Sequence, residues 1–173
     1  MATIAEIVTA VDAFMVTPKR IAGHEVAPQW GPGRSHHERA TRYPLEIDGE
    51  LRGAQLLVVC FPHDRDLRFR LGLLFPAMIC RLDYTDETHP NSLSGFLRYG
   101  VPFSVIGPHY HSWKINRRFF RGTTIPPELH DAVPYPGSGR IFDAVLRWFC
   151  TDTGIESLPA SHGIALPGPD LLL

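Results

Sequence analysis

His109 and His111 sit one residue apart in Gly107-Pro108-His109-Tyr110-His111, where they suit proton transfer or metal ligation better than any other pair in the chain. An imidazole titrates near neutral pH, so both its acid and its base form are accessible. The same stretch, residues 80–121, also holds His89, the acidic–basic couple Arg81 and Asp83, and four cations: Lys114, Arg117, Arg118 and Arg121. Residues two apart on a strand share a face. Arg81 therefore stands with Asp83, and His109 with His111. If the extended conformation continues, Trp113 joins the histidine side. If the two strands adjoin, one face carries Arg81, Asp83, His109, His111 and Trp113.

Three chemistries can use such a face. In the first, metal-independent cleavage of a phosphodiester, His109 and His111 act as acid and base. Arg81 and Lys114 then meet the phosphate, and Asp83 orients a histidine. This is the leading expectation, and it requires no cofactor. In the second, His-x-His joins His89 or Asp83 to hold a metal; zinc takes about four ligands, and two histidines with one carboxylate suit iron. No further Glu or His follows at the spacing of the cupin metal motif. In the third, the region only binds. Arg117, Arg118 and Arg121 contact phosphates while Trp113, Phe119 or Phe120 stacks on bases. The plainer alternative makes Phe119 and Phe120 core residues, the arginines a solvated rim, and Arg81–Asp83 an ordinary ion pair beside two surface histidines.

Other motifs are missing. The sequence has no Gly-rich phosphate loop with Lys-Ser/Thr, no G-x-G-x-x-G, no H-E-x-x-H and no G-x-S-x-G. Cys60, Cys80 and Cys150 are far apart in apolar runs, which predicts reduced, buried, unreactive thiols. The neighbouring His36 and His37 lie in a stretch expected to be a solvated loop. His63 and His130 are expected to be solvated as well.

The chain has 173 residues with a net charge of −1, enough for one domain with a real core and too little positive charge to hold nucleic acid by bulk attraction. No apolar run reaches the length of a membrane span, and the start lacks a secretion signal, so a cytoplasmic protein is expected. Thr3 followed by Glu6 predicts a capping box opening a helix over residues 3–15. Residues 19–38, with Gly23, Pro28, Gly31, Pro32 and Gly33, predict loop. A strand at 43–47, an Asp48-Gly49 turn, a buried central strand at 54–61, a half-buried strand at 67–73 and another at 77–84 predict an antiparallel meander. Thr124 to Glu128 reads as a helix start. Residues 138–150 read as the clearest helix, with Ser138 as cap. The expected fold is α+β: a curved antiparallel sheet of about four to six strands with the N- and C-terminal helices on one face. Residues 1–156 form a single domain, and 157–173 a tail that is either loose or docked by its apolar end.

This order of features resembles an uncharacterised family of small bacterial and phage proteins. The residues that carry the resemblance are Arg81-Leu82-Asp83, His89-Pro90-Asn91, Gly107-Pro108-His109-Tyr110-His111, and Trp148-Phe149-Cys150 through Gly154-Ile155. The chain is also distantly similar to TumE-type toxins, which share an R-x-D strand and a Pro-His-x-His strand. That resemblance implies a toxin-like or defence-associated protein acting on RNA, with a small helix-turn-helix antitoxin as partner. The apolar insert at 92–106 and residues 157–173 depart from the family pattern. The competing class is a non-catalytic module that binds protein or nucleic acid.

Overall fold

The computed structural model describes residues 3–22, 29–121, 125–156 and 164–167. Helix α1 (Ile4–Val16) opens as its sequence dictates. The Thr3 hydroxyl accepts from the Glu6 backbone while the Glu6 carboxylate accepts from the Thr3 backbone, so two otherwise orphaned N–H groups are satisfied. A main antiparallel sheet follows. It comprises β1 (Arg20–Ile21), β2 (Gly31–Pro32), β3 (Arg39–Ile47), β4 (Glu50–Cys60), β5 (Phe69–Leu74), β6 (Met78–Tyr84), β9 (His109–His111) and β10 (Val133–Pro134). The spatial order is β1-β3-β4-β5-β6-β9-β10, with β2 on the other end of β3. Asp48 and Gly49 both take positive φ between β3 and β4, the backbone that a two-residue hairpin requires.

The sheet is larger than expected, with eight strands among the described residues. The extra ones, β1, β2 and β10, are two residues long and carry no alternation to read; β1 and β2 fall within the predicted loop at 19–38. Gly23 and Pro28 of that loop lie outside the described residues. Helix α4 (Phe142–Asp152) starts later than expected and is capped by Ile141 without a side-chain bond, not by Ser138. Arg140 instead donates to the Gly137 and Gly139 carbonyls, folding the 137–140 stretch on itself. Residues 125–128 form no helix, because Pro126 and Pro127 each disfavour the helical region for the residue before them. Thr124 lies outside the described residues.

Alternation divides the sheet cleanly. Register runs Tyr43–Leu56–Leu73–Cys80 in one row and Leu71–Leu82–Tyr110 in another, and these residues form the core with Val11 and Phe14 of α1 and Val145, Leu146 and Phe149 of α4. Both terminal helices thus pack on this face. The three cysteines are free and buried, and burial pushes their thiols up, to about 11 for Cys60 and Cys80 and about 12 for Cys150. Of the tail, residues 164–167 are described, and Ile164 docks on the core; Leu171, Leu172 and Leu173 lie outside the described residues.

The opposite face is partly roofed by the insert. Here α2 (Leu93–Tyr99) is flanked by a two-stranded arm, β7 (Thr88–Pro90) with β8 (Ser104–Ile106). Val101 and Val105 turn inward, whereas Leu93, Phe96, Leu97, Phe103 and Ile106 face out. Gly95 is required where it stands, because a Cβ there would lie 2.1 Å from the Asp131 carboxylate. No described helix is long and apolar enough to cross a membrane.

A buried lysine joins the two terminal helices. Lys19 is fully buried; its ammonium donates to the carbonyls of Thr17 (2.7 Å) and Thr153 (2.9 Å) at the C-terminal ends of α1 and α4, and lies over the Phe14 ring. Helix C-termini carry partial negative charge, which favours a cation there. Burial lowers its pKa to about 8, leaving it charged at neutral pH. Lys19→Met keeps the volume but strands both carbonyls, so it is expected to cost about 2–4 kcal/mol. Urea unfolding measures this, and an unchanged midpoint would refute the clamp.

Candidate functional site

Strand β6 pairs directly with β9: Arg81 lies opposite His111 and Asp83 opposite His109. The four side chains project from one face, away from Leu82 and Tyr110 in the core. A fifth, Arg70 on β5, lies opposite Asp83 and belongs to the same set. Asp83 is the hub. Its Oδ1 accepts from Arg70 Nε at 2.6 Å and its Oδ2 from Arg81 Nε at 2.7 Å. Oδ2 also lies 3.5 Å from His109 Nε2 and 3.4 Å from His111 Nε2. Burial alone would raise the Asp83 pKa, but the two imidazoles and the Arg81 and Arg70 charges hold it well below the usual carboxylate range.

His89 is brought in from above by β7, although 20 residues separate it from His109. Its ring stacks on His109 at a centroid distance of 5.0 Å and meets His111 edge-on at 4.6 Å. A carbonyl partner accepts only, so it marks the ring nitrogen that donates to it. His89 Nε2 donates to the His130 carbonyl (3.0 Å), leaving Nδ1 bare. His109 Nδ1 donates to the Gly107 carbonyl (2.8 Å), and its Nε2 faces Asp83 Oδ2, as a lone pair in the neutral ring and as a donor to the carboxylate in the charged one. His111 Nε2 lies 3.0 Å from Arg81 Nη2, which can only donate, so its lone pair is engaged by that guanidinium; its Nδ1 is buried without a partner. The three rings each offer one nitrogen, and these lie within 4.8 Å of one another. Burial lowers the pKa of His89 and takes that of His111 to about 4, so both rings are neutral at pH 7. Neutral imidazoles are the form that ligates metals.

A polar frame holds His89 in place. The Asn91 amide donates to the carbonyls of Pro102 and Ala132 (both 2.8 Å) and accepts from the Ala132 backbone. Buried Asn116 exchanges hydrogen bonds with the Asp131 backbone. The Asp131 carboxylate accepts from the Ser92 backbone and hydroxyl and pairs with Arg118. This frame fixes residues 130–132, which supply the carbonyl that orients His89.

The other expected contact residues are placed differently. Trp113 does not share the histidine face. It opens α3 (Trp113–Asn116), capped by the Ser112 hydroxyl, and its buried indole donates to Asp12 (2.8 Å). Strand parity therefore ends at His111. Phe120 packs on Trp113 in the core, so neither is free to stack on a base. Arg117 pairs with Asp12 on α1, and Arg118 is part of the polar frame, also lying over the Tyr99 ring. Both belong to the region α3 shares with a 3-10 turn (Arg117–Phe119). Lys114 and Arg121 are exposed. Two of the four cations in the run are thus bonded internally. The His130 ring is exposed and tilted on Phe119, and only its carbonyl enters the site.

Access comes from the side. His109 is 4% exposed and His111 0%, and His109, Arg70, Arg81 and Asp83 line a small cleft of about 120 Å3. A larger cavity of about 520 Å3 lies over β3 to β6 and shares Arg70 and Arg81 with it.

The site is expected to be acid-labile in chelator-treated protein. The unfolded chain protonates histidine near pH 6.5, while folded His111 stays neutral down to about pH 4. Between these values the unfolded state binds more protons, so stability falls as pH drops. The expected loss between pH 7 and 4.5 is about 2–3 kcal/mol. Urea midpoints measure it; His111→Gln should flatten the profile, and a flat wild-type profile would contradict this assignment. Asp83 adds its own loss only at lower pH, below the ordinary carboxylate range.

Comparisons with protein-family models, with curated proteins and with solved structures find no match for this chain.

Proposed function

We propose that the protein is a toxin-like enzyme acting on RNA or a related phosphate ester, and that His89, His109 and His111 hold a divalent transition-metal ion at its reactive centre. The observation that carries the metal is the convergence of three imidazoles. One nitrogen of each ring lies within 4.8 Å of the others beside the Asp83 carboxylate, and a cation held there would displace the hydrogen bond that Arg81 gives His111 Nε2. Three imidazoles with a fourth position left for water match the ligand count of catalytic zinc sites. A metal so held would supply an activated water. Arg70 and Arg81 stand beside it, where their charges would stabilise negative charge building on a phosphate. RNA as substrate rests on the resemblance to TumE-type toxins.

This reading assigns His111 a different role from that of an acid or base. The ring has no exposure, and Arg81 occupies its Nε2, so no substrate proton reaches it without rearrangement. One observation favours a metal-independent alternative: His109 lines the small cleft together with both arginines, and it can shuttle a proton there by itself.

Elemental analysis of purified protein is expected to find about one zinc, iron or similar ion per chain. His89→Ala should lower that content at least tenfold with the fold preserved by circular dichroism, since a lost ligand removes much of the affinity. Labelled total RNA should be cleaved by wild type, not in excess chelator, and not by His109→Ala. Cleavage that persists in chelator would establish the metal-independent alternative. Stoichiometric metal in His89→Ala would refute the centre as drawn.

A further inference from the structure

We propose that the larger cavity beside the histidine centre binds a phosphate monoester carrying one flat, apolar-faced body: a single nucleotide, either free or at the phosphorylated end of an RNA strand. The proposal rests on the reading above and names the part of the substrate that the protein grips.

The cavity follows from one row of the sheet. Arg42, Leu57, Gly72 and Arg81 are consecutive cross-strand neighbours on β3, β4, β5 and β6, so they share the histidine face. With strands spaced at about 4.8 Å, the two arginines stand roughly 14 Å apart at their backbones. Between them come a leucine and a residue with no side chain. The result is a trough with a guanidinium at each end. A Cβ on Gly72 would come within 2.7 Å of Met78 Sδ, so the glycine lets that methionine lie across the floor. Leu57, Val59, Leu74 and Met78 form the apolar lining.

Charge balance selects an anion. Arg70 and Arg81 both bond the single carboxylate of Asp83, so two cations share one negative charge. Arg42 is exposed, and no ion pair is found for it among the described residues. Two acids also line the cavity. Glu38 is engaged with the backbone N–H groups of Arg34 and Ser35, and Glu128 is exposed on the rim. A phosphate monoester carries close to two negative charges at neutral pH, and guanidinium groups match its oxygens in pairs. The apolar floor suits the face of a base.

Volume sets the unit recognised. About 520 Å3 lies in the range of small-molecule sites, enough for one nucleotide and far too little for a duplex.

Isothermal titration of chelator-treated protein with adenosine 5′-monophosphate, adenosine and inorganic phosphate tests this without any metal. The monophosphate is expected to bind at least tenfold tighter than either fragment, and Arg42→Ala to weaken it about tenfold, the loss of one charge-assisted contact. A second arm uses a short oligoribonucleotide with and without a terminal phosphate. Preference for the phosphorylated strand assigns the site to RNA ends, whereas binding of the monophosphate alone assigns it to free nucleotides. Failure of the monophosphate and of the phosphorylated strand to saturate the protein, or equal affinity in Arg42→Ala, would overturn the proposal. Metal content is measured separately, so the loss of the metal centre would leave this result standing and the reverse.

Discussion

The site depends on one buried carboxylate. Asp83 sits between two guanidiniums and within 3.5 Å of two imidazole nitrogens, on a face where water has little access. A lone carboxylate there would take up a proton; the two imidazoles and the arginines keep it ionised. Its fixed negative charge in turn holds Arg70 and Arg81 close to the sheet and sets the field around His109 and His111. Removing it would leave two cations facing each other in a partly buried setting, a larger loss than the Coulombic value of either pair. Two surplus interactions therefore come from one residue: excess positive charge toward the larger cavity, and a negative oxygen toward the histidines.

The core face and the histidine face are two sides of the same period-two rule. Leu82 and Tyr110 point into the helices because Arg81, Asp83, His109 and His111 point the other way. A shift of one residue in the β6–β9 pairing would bury the charges among leucines, so hydrophobic packing on one side protects the register of the charged and histidine side chains on the other. Lys19 supports that packing from behind by joining the ends of α1 and α4. The roof is held differently, through Asn91, Asn116 and Asp131, which bind backbone groups and leave the ring of His89 free to face the sheet.

Much of this arrangement was legible in the sequence where periodicity was strong. The capping box of α1, the Asp48-Gly49 hairpin and the alternation in β5 and β6 are local signals, and parity alone placed Arg81 with Asp83 and His109 with His111. Arg70 was legible by the same rule, since it alternates with Leu71, but its pairing with Asp83 needed the neighbouring strand. Trp113 was misplaced because Ser112 caps a helix there and ends the strand phase; the serine was the available clue. Helix α2 had its own clues in Ser92 and in Gly100, which closes it in the left-handed region. The polar frame was not legible. Asn91 meets Ala132 across 41 residues, and no local pattern encodes such a contact. The two-residue strands were hidden for a related reason: they exist through pairing with β3 and β9, not through their own sequence.

X-ray absorption at the metal edge of protein purified without added metal bears most directly on the shared-cation account. The account predicts a first shell containing three imidazole nitrogens at about 2.0–2.1 Å. It further predicts that one nitrogen is lost in His89→Ala. A metal-free protein, or a shell unchanged by that substitution and abolished instead by replacing the exposed pair His36 and His37, would contradict it.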